Sequence, residues 1–128
     1  MSNTTSKTLR EALAEKYGGT YDIVSSEEIY FPPICPEFGS IRIFGNIDNE
    51  LDLSGRDEYY VLYSEKTHEH IDTGSELIET LDEIFEDRIF YVKSWCFGGF
   101  HSRQKCDTIL KHHRKLKCYS WHGRYTLN

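Results

Sequence analysis

Cysteine and histidine side chains near the C-terminal end of the chain are the first candidates for chemistry. Residues 106–125, CDTILKHHRKLKCYSWHGRY, hold two cysteines, three histidines, five lysines or arginines and three aromatic rings. The donors of the types that zinc prefers are Cys106, His112, Cys118 and His122. Their spacing, C-x5-H-x5-C-x3-H, lacks the close cysteine pair with which structural zinc sites usually begin, and a helix over residues 108–117 would hold Cys106 and Cys118 about 15 Å or more apart. We therefore predict no metal site and expect Cys96, Cys106 and Cys118 to be small apolar core residues.

A second group of donors is the pair of histidines in SEKTHEHIDTG. In an extended segment, His68 and His70 would lie on one side of the chain, as two ligands of one metal must. The stretch is polar and leads into a helix, so we interpret it as an exposed loop and predict no metal there. No glycine-rich phosphate-binding motif, G-x-G-x-x-G or G-x-x-x-x-G-K-[ST], occurs in the chain. We predict no cofactor.

A thiol and an imidazole flank the glycine pair of SWCFGGFHS. A hairpin turning at Gly98 and Gly99 would bring Cys96 near His101, which is the minimum that a thiol-dependent enzyme needs. The aromatic residues around Cys96 favour a core position for it instead. We keep a thiol enzyme as the second alternative, assign no catalytic residues and favour a protein that is not an enzyme.

Charge is divided unevenly along the chain. Residues 1–88 carry seven Lys or Arg against twenty Asp or Glu, whereas residues 89–128 carry eight against one, and the net charge is −6. The acidic part favours a positively charged partner. The basic part favours either a negatively charged partner or the acidic part of the same chain.

Acidic residues gather in the polar connection NIDNELDLSGRDE and on the outer side of a predicted helix. The carboxylates that we predict to bind a basic protein partner are Asp48, Glu50, Asp52, Asp57, Glu58, Glu76, Glu79, Asp82, Glu83 and Glu86. Electrostatic complementarity speeds the association of such surfaces. Our first hypothesis is therefore a small acidic binding or regulatory protein of the inhibitor, immunity or counter-defence type.

The alternative hypothesis is nucleic-acid binding by the basic and aromatic C-terminal segment. Cations there can pair with phosphates, and rings there can stack on bases. The residues involved would be Lys111, Arg114, Lys115, Lys117, Tyr119, Trp121 and Arg124. The acidic remainder of the chain argues against this hypothesis, because it would repel a polyanion unless it faced away.

Three helices are predicted from apolar periodicity and capping residues. The first runs from Ser6 to Tyr17 and ends at a glycine pair. The second runs from Ser75 to Glu86, is capped by Thr73 or Ser75, and buries an apolar stripe formed by Leu77, Ile78, Leu81, Ile84 and Phe85. The third runs from Thr108 to Lys117 and is capped by Asp107.

Strands are predicted where apolar residues alternate or cluster. YDIVSSEEIYF indicates either a strand or a hairpin broken near Ser25 and Ser26, and IRIF and YYVLY indicate two strands joined by the polar connection. RIFYVKSWCF indicates a strand that returns through Gly98 and Gly99, and residues 119–121 and 124–127 indicate a closing pair. This order predicts a single α+β domain in which about three helices pack on a mainly antiparallel sheet.

Length and composition also favour one globular domain. The 128 residues fit the usual size of a domain, about 100–150 residues, and an aromatic content of 14% supplies a core. No run of about 18 apolar residues could span a bilayer, and the N-terminal residues lack the pattern of a secretion signal. We expect a cytoplasmic protein with reduced thiols, no membrane partner, and a basic protein or a nucleic acid as its ligand.

Overall fold

Helices and antiparallel strands make up the computed structural model, which describes residues 7–52, 58–65, 67–93, 98–113 and 115–127. The helices are α1 (Leu9–Tyr17), α2 (Gly74–Phe85) and α3 (Arg103–His112). The strands are β1 (Asp22–Ser25), β2 (Glu28–Phe31), β3 (Ile41–Phe44), β4 (Tyr59–Tyr63), β5 (Thr67–Ile71), β6 (Ile89–Lys93), β7 (Gly98–Ser102), β8 (Lys117–Tyr119) and β9 (Arg124–Tyr125). The prediction of an α+β fold with antiparallel strands and three helices is confirmed.

The described strands form two sheets where the sequence predicts one. The first sheet has the order β1-β2-β3-β4-β5, and the second has the order β7-β6-β8-β9. The chain divides into two compact units, the first made of Met1–Pro32 with Ser40–Thr80 and the second of Pro33–Gly39 with Leu81–Asn128. That the chain forms a single domain stays a prediction.

The first sheet follows from alternating side chains on its central strands. In β2, β3 and β4 every second residue is buried, and Ile29, Ile43 and Val61 pair with one another across these strands. The residues between them point to the opposite side and stay partly exposed, because a strand directs successive side chains to opposite sides. We call this second side the open face, and it carries Glu28, Tyr30, Arg42, Phe44, Tyr60, Leu62, His68 and His70.

A capping box sets the start of α1. The Thr8 side chain accepts a hydrogen bond from the backbone N–H of Glu11, and the Glu11 carboxylate accepts one from the backbone N–H of Thr8. The first helical residue is therefore Leu9, whereas the sequence predicts Ser6. The inward side of the helix is buried at Leu9, Ala12 and Leu13.

Helix α2 agrees with its prediction to within one residue at each end. Thr73 Oγ1 accepts a hydrogen bond from the backbone N–H of Glu76 at 3.1 Å, so Thr73 is the capping residue of the two candidates. The apolar stripe is buried at Leu77, Ile78, Leu81 and Ile84 and half-buried at Phe85. This burial confirms the predicted inward side of the helix.

Strand β5 lies in a segment for which the sequence predicts a polar loop. It pairs along its whole length with β4, from Ile71 opposite Tyr59 to Thr67 opposite Tyr63. Ile71 is its one buried residue, so the strand has no apolar alternation that a sequence pattern could reveal. Backbone hydrogen bonds to β4 form this edge strand, and the loop prediction is wrong.

The hairpin predicted in the second unit forms with a different turn. Strand β6 ends at Lys93, which pairs with Gly98 at the start of β7, and Val92 pairs with Gly99. The two glycines therefore lie in a strand, and the prediction of a turn at them is wrong. Residues 94–97, which connect the two strands, lie outside the described residues.

Helix α3 begins and ends five residues earlier than predicted. Ser102 Oγ accepts a hydrogen bond from the backbone N–H of Lys105, so Ser102 is the N-cap in place of Asp107. The Leu116 backbone N–H donates a hydrogen bond to the His113 carbonyl, and β8 begins at Lys117. The helix predicted from Thr108 to Lys117 is therefore wrong at both ends, because the end of β7 supplies an earlier cap. A closing pair forms as β8 and β9, but β8 begins and ends two residues before the predicted strand 119–121, and β9 ends at Tyr125.

A small core lies where α3 contacts the second sheet. It contains Phe90, Val92, Cys106 and Cys118, with Ile109, Leu110, Leu116 and Tyr125 packed against it. Cys106 and Cys118 are fully buried, as predicted, and their thiols share a hydrogen bond. The predicted separation of about 15 Å between them is wrong, because the helix ends earlier and β8 runs back beside it.

Candidate binding surface on the first unit

A cleft of about 510 Å³ lies on the open face of the first sheet. Strand pairing places Glu28, Phe44, Tyr60 and His70 in one row across β2, β3, β4 and β5. The full lining of the cleft is Ser25, Glu27, Glu28, Phe44, Gly45, Glu58, Tyr60 and His70. Three carboxylates and three rings therefore line the cleft, and neither lysine nor arginine occurs among these residues.

Aromatic and imidazole rings contact one another along this row. The Tyr60 ring centroid lies 5.9 Å from that of Phe44, 5.1 Å from that of His70 and 5.0 Å from that of His68. His68 is stacked on Tyr60 with an interplanar angle of 12°. These contacts hold the Tyr60 ring in place, so the cleft has a preformed aromatic wall.

The two histidines of β5 lie on the same side of the strand, as an extended H-x-H predicts. Their ring centroids are 5.7 Å apart. Among the residues that the structure describes, no group of three or more His, Cys, Asp or Glu side chains has an arrangement that could hold a metal ion. Both imidazoles contact the Tyr60 ring.

The three glutamates of the cleft differ in their partners. Glu28 accepts a hydrogen bond from Arg42 Nη1 at 2.8 Å. In the described ranges, no cationic side chain lies within 4.0 Å of the Glu27 or Glu58 carboxylate, which is the distance limit for an ion pair. These two carboxylates therefore give the cleft a negative charge that its described surroundings leave uncompensated.

Arg42, which pairs with Glu28 beside the cleft, shows how the open face holds a cation. Its guanidinium carbon lies 4.8 Å from the centroid of the Tyr30 ring, and its Nε lies 3.1 Å from the Glu65 carboxylate. The hydrogen bond to Glu28 is the main cause that raises the pKa of Arg42. A tyrosine ring and two carboxylates thus form a complete guanidinium site within the chain.

The acidic connection and the start of α2, which the sequence assigns to one surface, are in contact. The Ser75 backbone N–H donates a hydrogen bond to the Leu51 carbonyl at 3.0 Å, and the Ser75 hydroxyl donates one to Asp52 Oδ1 at 2.7 Å. A β-carbon on Gly74 would approach the Leu51 side chain to 3.0 Å. Glycine at this position therefore lets the connection lie directly against the helix.

The other predicted carboxylates lie in different surroundings. Arg10 pairs with Asp48 at 2.8 Å, and this hydrogen bond lowers the pKa of the Asp48 carboxyl. Arg88 pairs with Glu86 at 2.7 Å, and Asp82 is half-buried. The exposed members of the set are Asp48, Glu50, Asp52, Glu76, Glu79, Glu83 and Glu86. Asp57 lies outside the described residues.

The basic side chains of the second unit are exposed, whereas two of the rings predicted to stack on bases are buried. Lys111, Lys115, Lys117 and Arg124 are exposed, and Arg114 lies outside the described residues. Trp121 is 5% exposed and packs against Phe38 and Phe85, and Tyr119 is 8% exposed. Little of the Tyr119 and Trp121 rings is therefore accessible for the stacking on bases that the sequence predicts.

A second, smaller cleft of about 240 Å³ lies on the second unit. Its lining is Leu110, His113, Leu116, Lys117, Arg124, Tyr125, Thr126 and Leu127. It brings together Lys117 and Arg124, two of the residues predicted to grip phosphates. The Tyr125 hydroxyl donates a hydrogen bond to Asp107 Oδ1 at 2.5 Å, which fixes this ring at the cleft.

The thiol alternative rests on a residue outside the described ranges, Cys96. Its predicted partner, His101, lies in β7 opposite Phe90. Among the described thiols, burial raises the pKa of Cys106 to about 12. That thiol is protonated near neutral pH and is therefore a poor nucleophile.

The sequence singled out Glu58 as a binding residue and His70 as a possible metal ligand, but not the other carboxylates and rings of the cleft. Alternation in IRIF does direct Phe44 away from the core, and alternation in YYVLY does the same for Tyr60. Strand register, which sets these rings beside Glu28 and His70, cannot be deduced from alternation in separate strands.

Comparison of the chain with family models, with curated proteins and with solved structures found no match. No helix in the described part of the chain is long and apolar enough to cross a membrane.

Proposed function

We propose that the protein binds a positively charged protein partner through an acidic surface of its first unit, as an inhibitor, immunity or counter-defence protein would. The acidic surface consists of Glu50, Asp52, Glu76 and Glu79. The observation that carries the proposal is the pair of hydrogen bonds from Ser75 to Leu51 and Asp52, because they join the acidic connection to the start of α2.

Charge and accessibility support this function. All four carboxylates of the acidic surface are exposed, and in the described ranges none of them forms an ion pair with a cationic side chain. Uncompensated charge of one sign attracts a partner of the opposite sign and raises the rate of encounter. A basic protein is therefore the ligand class that fits this surface.

A charge-reversal experiment tests the proposal. The variant Glu50→Lys, Glu76→Lys, Glu79→Lys should lose its basic partner when the tagged protein is purified from its native cell after nuclease treatment. The matched control, Glu15→Lys, Asp22→Lys, Glu37→Lys, changes the net charge equally at exposed positions outside the acidic surface and should retain the partner. Circular dichroism should show the same fold for both variants. Equal capture by both variants would refute this binding surface.

Nucleic-acid binding is the second candidate, and the cleft beside Lys117 and Arg124 favours it. Both side chains are exposed cations, and phosphate contacts by such residues make affinity fall with rising salt. The variant Lys117→Glu, Arg124→Glu should then weaken binding of a labelled single-stranded oligonucleotide and reduce its salt dependence. If the unmodified protein shows no binding at low salt, this candidate is eliminated.

A further inference from the structure

We infer that the cleft on the open face is the receptor for an arginine side chain of the basic partner. This inference rests on the proposed function, because it names the group of the partner that is anchored. It also extends the binding surface from the acidic surface to the cleft. Residues 46–52 of the polar connection join Gly45, which lines the cleft, to Asp52, which contacts Ser75 of α2.

Arg42 of the chain itself supports arginine as the occupant of the cleft. On the same open face, Arg42 lies over the Tyr30 ring and pairs with Glu28 and Glu65. The face therefore already binds one guanidinium by an aromatic ring and two carboxylates. Guanidinium groups stack on aromatic rings and form two parallel hydrogen bonds with a carboxylate, which ammonium groups do not.

The cleft offers the same set of groups without a cation of its own among its lining residues. Tyr60 supplies a ring, and Glu27 and Glu58 supply carboxylates that lack an ion-pair partner in the described ranges. Its volume of about 510 Å³ falls within the range of roughly 300–1,000 Å³ typical of ligand clefts. Charge complementarity therefore favours a cation and excludes a phosphate or a carboxylate as the natural occupant.

Apolar residues beside the cleft favour a peptide over a small free cation. Ile23 and Val24 are 45% and 55% exposed, and they directly precede Ser25, which lines the cleft. They lie in β1, an edge strand of the first sheet. Exposed apolar side chains next to a charged recess provide contact area for the residues that flank an anchored arginine.

A peptide-binding experiment tests the inference. The probe is the fluorescein-labelled peptide Gly-Ser-Val-Arg-Val-Ser-Gly, and its partner probe has citrulline, the neutral isostere, in place of arginine. Fluorescence anisotropy of the full-length protein should give at least about tenfold tighter binding of the arginine peptide. Equal affinity for the two peptides would overturn the inference.

Matched variants separate the cleft from general negative charge. Glu27→Gln with Glu58→Gln should weaken binding of the arginine peptide by about tenfold, whereas Glu15→Gln with Glu37→Gln, which removes the same charge at exposed positions outside the cleft and the acidic surface, should weaken it by less than about twofold. Tyr60→Val keeps a strand-forming residue and should also weaken binding of the arginine peptide, with little effect on binding of the citrulline peptide. An equal loss in both glutamine variants would overturn the inference.

The two proposals fail in different ways. If reversal of the acidic surface abolishes capture of the basic partner while the cleft does not distinguish arginine from citrulline, the proposed function stands and the arginine anchor is refuted. If the cleft selects arginine while the reversed acidic surface still captures the partner, the binding surface of the proposed function is refuted and the cleft is retained as an arginine site.

Discussion

His122 Nδ1 lies 2.8 Å from Oδ1 of Asp87, so a residue of the basic C-terminal segment meets a carboxylate from the end of α2. Arg103 Nη2 also donates a hydrogen bond to the Asp87 carbonyl, at 2.9 Å. Two polar groups of the basic part of the chain thus find acceptors in the same unit. Asp87 therefore joins the chain after α2 to β7–α3 and to the turn before β9.

Asp87 leads to a prediction about the end of α2. Its φ is 57°, and backbone N–H groups of Asp87 and Arg88 donate to the carbonyls of Ile84 and Glu83, which is the pattern of a Schellman motif. Asp87→Ala should lower the free energy of unfolding by about 1–2 kcal/mol, because alanine is disfavoured at positive φ. Urea denaturation measures this loss, and the control Asp87→Gly should lose less. Equal stability of the two variants would contradict the prediction.

The capping box of α1 leads to a second prediction. Thr8→Ala removes the side-chain oxygen that accepts the hydrogen bond from the Glu11 backbone N–H and should lower the free energy of unfolding by about 1 kcal/mol. Thr8→Ser keeps the oxygen and should unfold at nearly the same urea concentration as the unmodified protein. If serine and alanine destabilise the protein equally, the cap does not contribute through this hydrogen bond.

The stabilisation that this capping box provides depends on pH. Hydrogen bonds from Thr8 lower the pKa of the Glu11 carboxyl below its ordinary value of 4.5. The stabilisation is therefore present above pH 4.5 and is lost as the pH falls through the lowered pKa. Urea denaturation at pH 7 and at pH 3 should show that Glu11→Gln loses less stability on acidification than the unmodified protein does.

The buried thiols lead to a prediction for alkaline solution. Burial raises the pKa of Cys106 from 9.0 to about 12 and also raises that of Cys118. The folded state then retains a proton that the unfolded state loses, so this stabilisation is complete below pH 9 and is lost as the pH rises toward about 12. Cys106→Ala should show a shallower alkaline decline in the free energy of unfolding. A decline unchanged by this substitution would refute the role of the thiol.

The two sides of the first sheet lead to a further prediction. Ile43 is fully buried, so Ile43→Ala should lower the free energy of unfolding by about 2–5 kcal/mol through lost burial and a cavity. Phe44 is half-buried on the open face, and Phe44→Ala should lower it by less, although it removes more atoms. Urea denaturation of the two variants compares the effects directly, and the reverse order would contradict the assignment of the two faces.

Local interactions explain which elements the sequence predicts well. The apolar stripe of α2 and its Thr73 cap lie within a few residues of one another, so the helix agrees with its prediction at both ends. Alternation in β3 and β4 likewise predicts their buried sides. Helix α3 shows the limit of prediction from local sequence. Ser102 and Asp107 are both suitable N-cap residues, and the sequence pattern does not indicate which of them begins the helix.

The sequence by itself determined the number of helices, the class of the strands with apolar alternation, the inward side of α2 and the uneven distribution of charge. Only the tertiary structure decided that β5 is a strand, that Cys106 meets Cys118, and that Glu58 shares a cleft with Tyr60. The physical reason is separation along the chain. Backbone hydrogen bonds and side-chain contacts between distant segments depend on strand register and chain reversal, which no short stretch of sequence specifies.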